Sequence, residues 1–267
     1  MAEHINGPLY WERLGKAGRP MLFVHSSPLD HSCWVYQTDH FSTWYRCISV
    51  DLPGYGKSAT AGPGLTIADL AAGCWEVLDE VAPGEQAIVV GESVGWHVVM
   101  HMANQQPERT AAIIMSGCGV RTTQPPTTRG RDNPTMFRED GMGARAQLLP
   151  GLYSKGFRDT DLARYFSDNV IKRNRFGDAA SILHVLNALG PHPRDPEWLF
   201  TGAKAPALIL TGSEDGGHEG SFELQRKIAG CELVTLEGAG HACNMEQPWE
   251  WDRHAIAFLT KLGLFEG

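Results

Sequence analysis

The 267-residue chain is 42% hydrophobic and 20% charged, enough apolar material for one large domain with a sizeable core. Its net charge of −8, with no Lys/Arg cluster standing out, speaks against nucleic acid or an anionic membrane surface as partners. Six scattered cysteines lack C-x-x-C or zinc-finger spacing, and the first residues form neither a basic nor an apolar leader, so the expectation is a cytoplasmic protein with reduced, mostly buried thiols.

Taken in chain order, Met21–Val24, Cys47–Val50, Ala87–Val90 and Ala111–Met115 are short apolar runs predicted as buried parallel strands. An amphipathic helix is predicted over 66–81: Ile67, Leu70, Ala71, Cys74, Val77, Leu78 and Val81 recur at helical spacing, with Thr66 as N-cap and Asp69 three residues on. From Val120 to about Thr201 the pattern turns helical without strands, between the Pro-rich joints Thr122–Thr128 and Gly190–Pro193. Within it, Ile182, Val185, Leu186 and Leu189 make one helical stripe, and Tyr165 and Phe166 mark another helix. Strands resume at Ala207–Leu210 and Leu233–Leu236, and a helix over about 249–262 closes the chain. Alternating β and α elements predict an α/β fold, a mostly parallel sheet with helices on both faces.

Gly91-Glu92-Ser93-Val94-Gly95 follows the third of these strands and precedes a helical stretch. A sharp strand-to-helix turn strains the backbone at its central residue and needs small neighbours two positions away, which Gly91 and Gly95 are. Such an elbow lifts a hydroxyl clear of the sheet at a helix N-terminus, where an oxyanion is favoured. Serine is a weak nucleophile at neutral pH and needs a base with an orienting acid. Thr211-Gly212-Ser213-Glu214-Asp215 places two acids after the Ala207 strand, and Glu237-Gly238-Ala239-Gly240-His241 brings a histidine on a glycine-rich loop after the next. Spacing after Gly212 favours Asp215 over Glu214 as the acid.

The order Ser, acid, His around such an elbow resembles the α/β-hydrolase superfamily along the whole chain, in particular esterase and 3-oxoadipate enol-lactonase-like members. The resemblance implies an α/β-hydrolase core from 1–119 and 202–267 and a helical cap over 120–201. It also implies Ser93 as nucleophile, His241 as base, Asp215 as the acid, and an oxyanion hole of the Val94 and Ser27 backbone N–H groups. The loop His25-Ser26-Ser27-Pro28 departs from the His-Gly of most relatives and is similar to the Asn-Ser form of the enol-lactonase-like members. Asp51-Leu52-Pro53-Gly54-Tyr55-Gly56-Lys57-Ser58 matches the family's D-x-x-G-x-G-x-S turn, Trp34 falls where relatives often carry Trp, and Arg138–Ala144 resembles the start of their caps.

Ser26, Pro28, Trp96, His97, Tyr153 and Phe157 are candidates for the substrate pocket. Trp96 stands where relatives have a small residue, and its bulk goes either into helix packing or into the pocket wall. His25 is expected to be a structural hydrogen-bonding residue. Arg121, Arg129, Arg131 and Arg138 offer a patch for an anionic substrate, with a solvated loop as the plainer account. Gly54–Ser58 ends like a phosphate loop but lacks its first glycine, and His218-Glu219 has no zincin partner, so neither a nucleotide nor a metal is expected. The function expected is cofactor-free hydrolysis of a small-molecule carboxylic ester or lactone through an acyl-enzyme. A carbon–carbon bond hydrolase, a cofactor-free haloperoxidase or perhydrolase, and a ligand receptor keeping the triad are alternatives. Asp-dependent dehalogenases and epoxide hydrolases are disfavoured by the serine at the elbow. Nothing in the sequence speaks to oligomeric state.

Overall fold

The computed structural model describes residues 4–120, 149–174, 177–189 and 196–265. Its frame is a seven-stranded sheet in the order β1-β3-β2-β4-β5-β6-β7. The strands are β1 (Trp11–Leu14), β2 (Pro20–Val24), β3 (Arg46–Val50), β4 (Ala87–Glu92), β5 (Thr110–Ser116), β6 (Ala207–Gly212) and β7 (Glu232–Leu236). All neighbouring pairs are parallel except β1 with β3, where Trp11 faces Val50 and Leu14 faces Cys47. The interior strands β2 and β4 are buried at every residue, as strands covered on both faces must be.

Helices cover both faces. On one, α2 (Ile67–Val81) and α3 (Val94–Gln105) join Leu22, Val24, Val89, Ile113 and Ile209 in one core cluster. On the other, α1 (Val35–Phe41) and the C-terminal helix join Met21, Phe23, Ile88, Val90 and Leu208 in a second. Alternate residues of each strand thus feed opposite cores, which is the period-two geometry of the pleat. The predicted cap on α2 forms in full: Thr66 Oγ1 accepts from the Asp69 N–H while the Asp69 carboxylate accepts from the Thr66 N–H.

Between β5 and β6 the described residues hold α4 (Asp161–Asn174), α5 (Ala179–Ala188) and α6 (Glu197–Thr201). The predicted stripe of α5 is realised, with Ile182, Val185 and Leu186 buried and Leu189 half-buried. That helix sits on the 51–58 turn. Gly54 has a φ of +81°, the Asp178 N–H donates to the Gly54 carbonyl, and Ser181 Oγ accepts from the Ala61 N–H. A side chain at Gly54 would strike Ser181. The arginines 121, 129, 131 and 138, the 138–144 motif and both Pro-rich joints lie outside the described residues.

After β6 come α7 (His218–Lys227), then β7, α8 (Cys243–Glu246) and α9 (Pro248–Lys261), close to the bounds that periodicity predicts for the last helix. No helix among the described residues is long and apolar enough to cross a membrane.

Candidate active site

Ser93 joins β4 to α3 with φ 52° and ψ −115°, the one described residue other than glycine with a positive φ. Its neighbours leave no space for side chains: a Cβ on Gly91 would lie 2.3 Å from the Gly95 carbonyl oxygen, and one on Gly95 2.3 Å from that of Val24. The strain of the elbow is held by its surroundings, including a 3.1 Å hydrogen bond from the Ser93 N–H to the Ser116 carbonyl on β5. Val94 is the first residue of α3, so its N–H belongs to the open, positive end of a twelve-residue helix.

The contact of Gly95 with Val24 brings the loop after β2 against that same helix end. His25 fixes this loop from within: its Nδ1 lies 2.7 Å from the Ser26 carbonyl while Nε2 accepts from the Leu52 N–H at 2.9 Å. Burial pushes its pKa down, so the ring is neutral and donates through Nδ1. The structural role expected of His25 is the one observed. Ser27 follows, half-buried, and its hydroxyl accepts from the Tyr55 hydroxyl at 2.5 Å.

Asp215 and His241 meet across the loops after β6 and β7. His241 Nδ1 lies 3.0 Å from each Asp215 carboxylate oxygen, with Oδ1 also accepting from the Gly217 N–H at 2.8 Å. Burial works to raise the Asp215 pKa, yet the charge and hydrogen bond of His241 with the Gly217 amide outweigh it and hold the carboxyl below its usual range. Glu214 points elsewhere: its carboxylate accepts from the Lys155 N–H at 2.9 Å, and its own N–H donates to the Ala239 carbonyl. Of the two acids, Asp215, the one that spacing favours, is the one that faces the imidazole. His241 also lies against Gly117, whose absent Cβ would come 3.2 Å from its ring. Ser93 hangs from Ser116 and His241 abuts Gly117, so both border one turn at the end of β5.

Residues 152–155 close over these loops. The Ala242 N–H donates to the Leu152 carbonyl, and Glu246 accepts from the N–H groups of Ser154 and of Gly240. A Cβ on Gly240 would lie 2.5 Å from the Ser154 nitrogen, so this glycine is required by close approach, whereas Gly238, at φ +74°, is required by its backbone angle.

Of the candidate pocket residues, Ser26 and Pro28 are buried, and His97 and Phe157 are half-buried. Tyr153 is buried against Phe157, with ring centroids 5.2 Å apart. Trp96 lies in the core beside Val94 and Val98, stacked on His97 at 3.6 Å, so its bulk goes into helix packing. Tyr165 and Trp198 face solvent. Three groups near the elbow escape a reading of the sequence: Tyr55 on the Ser27 hydroxyl, Glu246 under the 152–155 segment, and Glu92, fully buried next to Ser93. The oddity of a charged residue inside an apolar strand is the signal that could have singled out Glu92.

These loops all leave the carboxyl edge of a parallel sheet, where open α/β sheets carry their sites. The alpha/beta hydrolase family model matches residues 21–251. The chain belongs to this family. Among its relatives, an AB hydrolase superfamily protein of Bacillus subtilis is 27% identical over 257 residues, covering 92% of each chain. An esterase of Thermogutta terrifontis superposes with a TM-score of 0.83 at 26% identity, covering 95% of this chain and 93% of the other. The enol-lactonase of Burkholderia xenovorans superposes at 0.82 with 24% identity over 96% and 98%, a likeness of fold.

Asp30, His31 and Asp51 have ligating atoms within 4.8 Å of one another; Asp30 and His31 line a 460 Å³ cavity whose lining does not include Ser93, Asp215 or His241, and Asp51 is buried behind them. Their atoms serve the loops. Asp51 accepts from the His31 ring and N–H and from the Lys57 N–H, and Asp30 caps the turn at His31–Trp34. In this alpha/beta hydrolase the trio ties the loop after β2 to the 51–58 turn.

Proposed function

We propose that this alpha/beta hydrolase cleaves carboxylic esters or lactones through Ser93, His241 and Asp215. The observation that carries the reading is the Asp215–His241 pair, 3.0 Å apart on adjacent loops, with a strained serine bordering the same turn. Asp215 on Nδ1 orients the ring so that Nε2 takes the proton of the Ser93 hydroxyl as its oxygen attacks the carbonyl. The tetrahedral oxyanion is met by the Val94 and Ser27 N–H groups, the first strengthened by its place at a helix N-terminus. Collapse breaks the C–O bond, the leaving oxygen takes the proton from Nε2, and an acyl-enzyme remains. A water that gives its proton to His241 then releases the acid, and Ser93 recovers its hydrogen. Every step uses the chain's own groups, so no cofactor is invoked, and in a lactone the product is one hydroxy acid.

The 120–201 segment is the cap in this reading, with Tyr153 and Phe157 facing the substrate. The links from residues 152–155 to Glu214, Ala242 and Glu246 support it, since they seat that segment on the very loops that bear the acid and the base. The likeness to a solved esterase supports the ester half. Acid release by wild type and Ser93→Ala, followed by pH-stat across simple esters, small lactones and large aromatic lactones, tests the proposal. Turnover of at least one class that falls by roughly 10³-fold or more in the variant is expected. Turnover surviving in the variant, or no acid from any member, overturns it.

A further inference from the structure

We propose that Glu92 is a positioning residue for the base: its carboxylate, within electrostatic reach of the His241 ring, steadies the imidazolium that forms when Ser93 gives up its proton. The inference rests on the roles of Ser93 and His241 proposed above.

Glu92 ends β4, opposite Ser116 in the register and directly before Ser93. It is fully buried, and among the described residues neither of its carboxylate oxygens has a hydrogen-bond partner. The Ser26 Oγ and the Tyr153 hydroxyl are likewise buried without one. A carboxyl in this position gives up the packing of an apolar residue and the hydrogen bonds of an exposed one, a cost that calls for a return. The groups that act on it electrostatically come from several elements of the site: His241 after β7, Asp215 after β6, Glu246 on α8, and Ser26 after β2. Cys33, Tyr153 and Cys243 lie in its field as well.

Burial is the largest influence on Glu92 and lifts its pKa to about 7; His241 and then the Ser26 hydroxyl, which lies outside direct hydrogen-bond geometry, pull the other way, while Asp215 and Glu246 add to the rise. The attraction is reciprocal. What a charged His241 does for ionised Glu92, ionised Glu92 does for a charged His241. Asp215 holds one nitrogen of the ring by hydrogen bonds, whereas Glu92 acts through space without touching the reacting atoms. Because Glu92 is neutral on the acid side of neutrality, its help is present in alkaline solution and fades as pH falls.

NMR titration of the His241 ring in full-length wild type and Glu92→Gln tests this without any need for turnover, so it stands apart from the Ser93→Ala assay. The isosteric amide should lower the His241 pKa by roughly one unit, with the acid limb of kcat/KM moving the same way. An unchanged His241 titration overturns the proposal. Ser26→Ala supplies a second reading should Glu92→Gln fold poorly. Loss of that hydroxyl should move the Glu92 carboxyl resonance to titrate at higher pH, and an unmoved resonance would show the cluster to be uncoupled and sink the idea.

Discussion

Glu214 and Asp215 are adjacent in the chain and differ by one methylene, yet they do different work because the turn after β6 aims them apart. Asp215 receives the His241 ring and the Gly217 N–H, whereas Glu214 receives the Lys155 N–H. Asp215→Asn keeps the shape but offers the ring a group with no charge and invites the wrong tautomer, so kcat should fall on the order of 10³-fold or more. Glu214→Gln still accepts from Lys155 and should change kcat by no more than about threefold, the scale of a surface change. Steady-state kinetics of both variants settle the assignment, and a larger loss in Glu214→Gln would transfer the acid's role. The elbow, both acids and His241 were legible because each depends on residue type at a fixed place after a strand. Glu92, Ser26 and Tyr55 were not, since what matters in them is where a side chain points and what it lacks or finds there.

At the scale of elements, the buried strands were readable to within a residue or two because a parallel strand covered on both faces is one unbroken apolar run. β1 was not: Trp11-Glu12-Arg13-Leu14 is an edge strand, largely exposed, with two charges in four residues, and pairing with β3 is what makes it a strand. The attachment of residues 152–155 was also invisible, because it runs through backbone N–H groups that every residue but proline possesses. Glu246 is its anchor, accepting from Ser154 on one side and Gly240 on the other. Burial keeps its pKa raised, and those amides act against the rise. Replacing Glu246 with Ala strips two buried N–H donors of their acceptor and should cost roughly 1–3 kcal/mol. Amide exchange at Ser154 and Gly240 should quicken in the variant, with KM rising more than kcat falls if the segment shapes the pocket. Unaltered protection at both amides would refute this account of the attachment.

Across the whole molecule the buried carboxyls pull stability in opposite directions with pH. Asp215, held below its usual range by His241, contributes stability above the ordinary aspartate range that is lost as pH falls. Glu92 and Asp252 are raised, chiefly by burial, to about 7 and about 6. A raised carboxyl binds its proton more tightly folded than unfolded, so its contribution is complete below the unfolded pKa and is lost as pH climbs through the folded one. Asp252 keeps hydrogen bonds to His40 and Gln37 that compensate its burial, whereas Glu92 has no partner among the described residues. The chain therefore carries in Glu92 a stability deficit beside Ser93 that grows toward alkaline pH, where the proposed help to His241 is greatest. Glu92→Gln removes the charge and with it the deficit. Relative to wild type, urea unfolding should show the variant gaining up to about 3 kcal/mol between pH 5 and pH 9, from a pKa of 4.5 unfolded and about 7 folded. Parallel stability curves would mean that the Glu92 carboxyl does not titrate in that window; a gain in stability accompanied by a lower His241 pKa would show one buried acid exchanging stability for a better base.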